Sequence, residues 1–155
     1  MKIGRLERAW GAEALQPVVA WKVWRVDEEG RLRSVLYGDP WPVDEPVRAV
    51  CKRLLRSGHE APARGCECGI HAGRELGAWE HYLAIDAESR VFGRVLLWGS
   101  TLEGTHGWRA AQARPVEIVV PSAVRDAAAV AAGLRAYGVP VRVLPELVPE
   151  EVLVR

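Results

Sequence analysis

The chain has 155 residues, of which 49% are hydrophobic and 26% are charged, an ordinary composition for a folded protein. This length predicts one globular domain, residues 1–155, with a substantial hydrophobic core. A formal net charge of +1 excludes the strong overall field that draws very basic proteins to nucleic acid or to anionic membranes.

The amino terminus, MKIGRLERAWGAE, is charged throughout and lacks the apolar core that a signal peptide needs. No window of the sequence approaches the roughly 18 apolar residues of a membrane-spanning helix. The chain has three cysteines, an odd number that argues against a disulfide framework. We therefore expect a cytoplasmic protein with reduced thiols and no association with membranes.

The first third of the chain predicts a β-hairpin and then a helix. VVAWKVWRV, Val18–Val26, is rich in β-branched and aromatic residues, and a DEEG turn leads to a second strand in RLRSVLYG. After a proline-rich loop, Asp44 supplies an N-cap for a helix over residues 45–56. Apolar residues recur there at helical spacing: Val47, Val50, Cys51, Leu54 and Leu55. On this stripe Cys51 is more typical of a small buried hydrophobic residue than of a metal ligand.

The remaining elements complete the expected fold. A second helix is predicted over about residues 74–83, and Val91–Pro121 predicts a long hairpin with a polar tip at Glu103–Gly107. The predicted strand VEIVV is followed by an alanine-rich helix that begins after Ser122 and then by a strand over Val139–Leu144. This order predicts a parallel crossover. We expect an α+β fold with a mixed, mainly antiparallel sheet, three helices and a C-terminal strand–helix–strand unit.

The central stretch HEAPARGCECGIHAG contains two cysteines one residue apart, with a histidine on each side and glycines that allow tight bends. Thiolate and imidazole groups are the usual ligands of tetrahedral zinc. The candidate metal ligands are Cys66, Cys68, His59, Cys51 and His71. The C-x-C spacing is less usual than the C-x-x-C pairs of common zinc sites, so the pattern indicates a metal site only moderately.

Other interpretations of this stretch stay open. From Arg48 to Arg74 the chain has six basic and two acidic residues, an excess of four positive charges. Such a field favours the thiolate form, which suits metal binding and equally suits a reactive thiol at Cys66 or Cys68. The same basic residues are also typical of a solvated surface, and His71 is also typical of a residue that hydrogen-bonds within a turn.

Elsewhere, GTHGWR places His106, Trp108 and Arg109 at the tip of the predicted hairpin, where they are candidate ligand-binding residues for an anion. A plain polar turn explains them equally well. The chain has seven tryptophans, which can stack on nucleobases but in strands more often belong to the core. No Walker loop, nucleophile elbow, HExxH helix or dinucleotide fingerprint is present, and we assign no catalytic residues.

Several stretches over about residues 21–113 resemble an uncharacterised family of small proteins from GC-rich bacteria: WKVWRVDEEGRL, HEAP, CECGIHAG and VFGRVLLWG…GWRAAQA. The family pattern joins an H-x-A-P segment, a C-x-C-G-I box that continues with an aromatic residue and alanine, and a G-x-V-x-L-W-G…G-W-R-A hairpin. This chain has His71 in place of the aromatic residue, which shifts the expected ligand set toward His59, Cys66, Cys68 and Cys51. The resemblance implies no activity.

We expect a non-enzymatic binding module with one structural zinc ion in the central Cys/His loop. One alternative is a thiol-based redox sensor or enzyme that uses Cys66 or Cys68. Another is a module without metal that binds a protein or a nucleic acid through its tryptophan and arginine surfaces.

Overall fold

A computed structural model describes residues 16–53 and 58–145 of the protein. The charged amino terminus lies outside these ranges, as do residues 54–56 of the first predicted helix. No α-helix in the described part of the chain has the length and the apolar sequence that crossing a membrane requires.

Within the described residues, seven strands form one sheet. All pairings are antiparallel except that of the last two strands along the chain, so the predicted mixed, mainly antiparallel sheet is confirmed. The strands are β1 (Val18–Val26), β2 (Leu32–Ser34), β3 (Val47–Arg48), β4 (Ile70–Gly73), β5 (Arg90–Glu103), β6 (Gly107–Val120) and β7 (Val141–Val143). Strands β1, β5, β6 and β4 pair in succession, and β4 returns to β1 through one residue pair, so these four strands close a ring.

The described residues contain two α-helices, where the sequence predicts three. They are α1 (Glu80–Ala84), which follows a 3₁₀ turn at Leu76–Trp79, and α2 (Ala127–Leu134), which continues into a 3₁₀ turn at Arg135–Tyr137. The α+β class is therefore confirmed and the number of helices is wrong. Strand β6, helix α2 and strand β7 form the predicted strand–helix–strand unit, in which β7 runs parallel to β6.

The first predicted helix, residues 45–56, is absent over its described part, residues 45–53. There β3 pairs with β6, and the Ala49 amide donates a hydrogen bond to the Ala111 carbonyl oxygen at 2.8 Å. The edge of β6 offers backbone groups that need partners, and β-branched valines suit a strand better than a helix. This non-local pairing overrides the local helical periodicity, and Cys51 therefore follows an extended segment.

The sheet is covered on both faces. Trp24 of β1 and Ile118 of β6 belong to the larger buried cluster, against which α2 packs. Their neighbours Val23 and Val119 belong to a smaller cluster that contains Trp79, next to α1. Successive side chains of a strand point to opposite faces, so apolar runs in β1 and β6 supply both clusters at once.

Candidate metal centre

Four side chains converge where the segment after β3 meets the loop before β4. The sulfur atoms of Cys51, Cys66 and Cys68 and a ring nitrogen of His59 all lie within 4.8 Å of one another. Cys51 Sγ is 3.7 Å from Cys66 Sγ, and Cys68 Sγ is 3.5 Å from His59 Nε2. All three cysteines are free thiols. The structure thus brings together four of the five ligands considered from the sequence.

These separations agree with the edges of a zinc tetrahedron. Zinc binds thiolate sulfur at about 2.3 Å and imidazole nitrogen at about 2.0–2.1 Å, so tetrahedral geometry sets two sulfurs about 3.8 Å apart and a sulfur and a nitrogen about 3.6 Å apart. The observed sulfur–sulfur and sulfur–nitrogen distances are 3.7 Å and 3.5 Å. Cys51 and Cys66 are buried, and His59 and Cys68 are half-buried. Two of the six separations among the four ligand atoms therefore match a zinc tetrahedron, and the other four are no longer than 4.8 Å.

Cys66 and Cys68 lie on a tight turn that two glycines make possible. Gly65 and Gly69, which flank the C-x-C segment, have φ values of +79° and +118°. A Cβ atom at Gly69 would lie only 3.1 Å from the Arg109 Cβ, so the turn packs closely on β6. The Cys68 backbone N–H donates a hydrogen bond to Cys66 Sγ and lowers the pKa of the Cys66 thiol to about 6.

The electrostatic environment of Cys68 is different. The pKa of the Cys68 thiol is raised, mainly by burial. A hydrogen bond from the Ala63 amide to the sulfur acts against this, whereas negative charge on Cys66 and Cys51 raises the pKa further. Three thiolates this close together would repel one another. A divalent cation would remove that repulsion and favour the thiolate form of all three side chains.

Arg109 holds the cysteine turn from β6. Its Nη1 atom donates hydrogen bonds to the carbonyl oxygens of Ala63 at 3.4 Å, of Cys68 at 2.8 Å, and of Cys66. The guanidinium is permanently charged, so it would also offset the net negative charge of three thiolates around a bound divalent cation. Arg109 is therefore a positioning residue for the cluster, a role that its place in the sequence does not reveal.

The three residues predicted to bind a ligand at the hairpin tip, His106, Trp108 and Arg109, line one cavity of about 480 Å³. His106 is exposed, and Arg109 extends toward the cysteine turn. The Arg74 guanidinium covers Trp108, with its Cζ atom 4.5 Å from the ring centroid, and Arg74 also pairs with Glu103. Ligand binding by this set of three residues stays a prediction.

His71, the fifth ligand considered from the sequence, lies outside the group of four. It is on β4, in register with Arg109 of β6, and its side chain lines a cavity beside the cysteines. Burial lowers the pKa of His71 to about 4, and the charges of Lys22 and Arg109 act in the same direction. The ring is therefore neutral at physiological pH.

Lys22 is a buried lysine that was not among the candidate residues identified from the sequence. It is only 5% exposed, and its Nζ donates a hydrogen bond to the His71 carbonyl oxygen at 2.7 Å. The sequence pattern indicates this burial, because alternation along β1 places Lys22 on the same face as Ala20 and Trp24, which both belong to the larger core cluster. A lysine within an apolar stripe indicates a buried charge.

Comparisons of the chain with protein-family models, with curated proteins and with solved structures find no match. The resemblance of the CECGIHAG and GWRAAQA stretches to a family of small bacterial proteins therefore stays a prediction. The function has to be inferred from the geometry and chemistry of this chain's own residues.

Proposed function

We propose that the protein binds one structural zinc ion through Cys51, His59, Cys66 and Cys68. The observation that carries the proposal is the convergence of four ligand atoms within 4.8 Å. Thiolate and imidazole groups favour zinc over magnesium or calcium, which prefer oxygen ligands. Four protein ligands leave no open coordination position, and this distinguishes a structural zinc site from a catalytic one.

The ion would stabilise a part of the chain with little regular structure. Between β3 and β4, the described residues 49–53 and 58–69 form no helix and no strand. The metal would join Cys51, just after β3, to the cysteine turn just before β4, and both of these strands pair with β6. The free energy of metal binding then contributes to folding of this segment. With a closed site and reduced thiols, we propose a non-enzymatic binding module of the cytoplasm.

The test is the metal content of the untagged, full-length protein, measured by elemental analysis. We expect about one zinc ion per chain, and cobalt substitution should give the intense visible absorption of a tetrahedral thiolate site. Cys66→Ser should reduce the metal content and bleach the cobalt spectrum. His71→Gln, a change in the same segment but outside the group of four, should leave both unchanged. Metal-free protein that melts at the same temperature as the metal-loaded protein would contradict the proposal.

A thiol-based redox sensor is the second candidate, because the Cys66 pKa is lowered to about 6 and the Cys51 and Cys66 sulfurs are 3.7 Å apart. The Cys66 thiolate would attack a hydroperoxide, forming a sulfenic acid and releasing an alkoxide that takes up a proton. The Cys51 thiol would then displace water and form a disulfide. Rapid alkylation of Cys66 at neutral pH, in protein isolated without metal, would favour this candidate, and inert thiols would exclude it.

A further inference from the structure

A cavity of about 400 Å³ lies beside the metal centre. Its wall includes the three cysteines together with Lys22 and Trp41. Cavities of about 300–1,000 Å³ that combine apolar walls with a few polar groups are typical binding sites for small molecules. This cavity is far larger than a metal ion requires, so zinc does not account for it.

Lys22 brings a buried positive charge to the cavity. Its Nζ lies 5.0 Å from the centroid of the Trp79 ring and 5.8 Å from that of the Trp41 ring, and both tryptophans line the cavity. An ammonium group has three donors, and within the described residues one of them is used, by the His71 carbonyl oxygen at 2.7 Å.

No carboxylate of the described ranges forms an ion pair with Lys22. Burial lowers the pKa of Lys22 to about 7, as expected for a cation that lacks an anionic partner. A buried charge is normally paired or fully hydrogen-bonded, because its desolvation is otherwise costly. The unused donors of this ammonium therefore point to an anion that the described residues do not supply.

The mouth of the cavity is apolar and exposed. Leu36, Tyr37 and Val50 line it and are 60%, 72% and 66% exposed. Large apolar side chains that remain exposed at the rim of a cavity are typical of a ligand-binding site. The apolar mouth and the tryptophans beside Lys22 favour a ligand with an apolar or aromatic body.

We propose that this cavity binds a small apolar monocarboxylate, with its carboxylate on Lys22 and its apolar body against Trp41, Tyr37 and Leu36. One buried ammonium balances one carboxylate, whereas a phosphate monoester carries close to two negative charges and could pair its second charge only with exposed groups, because both arginines that line the cavity are exposed. The nearby Lys52 cannot supply the second charge while it pairs with Asp39 at 2.7 Å. The proposal goes beyond the structural zinc site and assigns the protein a class of ligand.

The first test is isothermal titration of the metal-loaded, full-length protein with 3-phenylpropionate and with its uncharged amide. The two probes share their apolar body, so the comparison isolates the charged group. We expect the carboxylate to bind roughly tenfold or more tightly than the amide, because a charge-assisted hydrogen bond is lost in the amide. Equal affinities would overturn the proposal, as would a lack of detectable carboxylate binding at millimolar concentration. Tighter binding of phenyl phosphate would overturn the choice of a carboxylate.

The second test compares two lysine variants. Lys22→Met keeps the length of the side chain and removes the charge, and it should weaken carboxylate binding roughly tenfold or more without lowering the melting temperature. Lys52→Met, which removes an exposed lysine paired with Asp39, should retain binding. Retained binding in Lys22→Met would overturn the proposal. If Lys22→Met does not fold, the affinities of the parent protein for 3-phenylpropionate and for its amide still test the proposal.

Discussion

The β5–β6 hairpin and the central loop, of which the structure describes residues 49–53 and 58–69, are held together by different means. The hairpin pairs two strands of 14 residues each, and Val95, Leu97, Ile118 and Val120 bury their side chains completely. The described residues of the loop form no strand or helix. Apolar burial and ladder hydrogen bonds suffice for the hairpin, whereas the loop depends on polar contacts: four converging ligands and the Arg109 guanidinium.

Removal of the proposed zinc ion should give the largest difference between these two regions. A chelator should destabilise the protein by several kcal/mol and lower its melting temperature by about 10 °C or more. In hydrogen exchange, amides of residues 58–69 should lose protection, whereas those of β5 and β6 should keep most of theirs, because the two strands pair with each other and β5 also pairs with β1.

Cys68→Ser should reproduce the effect of the chelator and make the protein insensitive to it, since the variant lacks one ligand. Uniform loss of protection in both regions would show that the sheet also needs the metal. No change in either region would show that the loop folds without it.

Replacement of Arg109 should weaken the loop through its backbone. Arg109→Met leaves the carbonyl oxygens of Cys66 and Cys68 without their charged donor, at an expected cost of about 3–4 kcal/mol. Zinc should still bind, with an affinity reduced by about 10–100-fold, because the turn that presents the two sulfurs is less well held. Competition with a metal indicator dye measures this loss.

The matched control is Arg114→Met, which removes an exposed arginine of the same strand and should change stability by less than about 0.5 kcal/mol. Arg109→Lys should recover only part of the lost affinity, because the lysine side chain is one atom shorter than the arginine side chain up to Nη1 and cannot place its ammonium at the same position between the carbonyl oxygens. Equal metal affinities for Arg109→Met and Arg114→Met would show that Arg109 does not position the ligands.

The same contrast explains what could be predicted from the sequence. The β5–β6 hairpin and the β6–α2–β7 unit follow local patterns of apolar and turn residues, and the pairing of their strands is as predicted. The helix of that unit begins at Ala127, later than the predicted start after Ser122. From the sequence, Cys51 is a weak candidate for a metal ligand because the apolar residues around it have helical spacing. The segment is extended only because β3 pairs with the distant strand β6. The role of Arg109 likewise depends on contacts more than 40 residues away along the chain. Local sequence carries no record of such contacts.

His71 lies at the boundary of the two regions and gives the smallest expected effect, confined to acidic pH. The pKa of His71 is lowered from 6.5 to about 4 in the folded protein. Between these pH values the unfolded chain binds a proton at this site that the folded protein does not bind, so the free energy of unfolding falls as the pH falls from 6.5 toward 4. The loss contributed by this residue should reach about 2–3 kcal/mol at the acidic end. Urea unfolding at a series of pH values measures it.

Protons also compete with zinc for the thiolates in this pH range, so the parent protein alone does not isolate the histidine. His71→Gln is the required comparison, because glutamine does not titrate and the residue lies outside the four ligands. The variant should lose less stability than the parent as the pH falls, while its zinc content at neutral pH stays the same. Parallel curves for the two proteins would mean that the folded protein accommodates the charged ring beside Lys22 and Arg109 at no cost. A steeper curve together with lost zinc would instead make His71 a part of the metal centre.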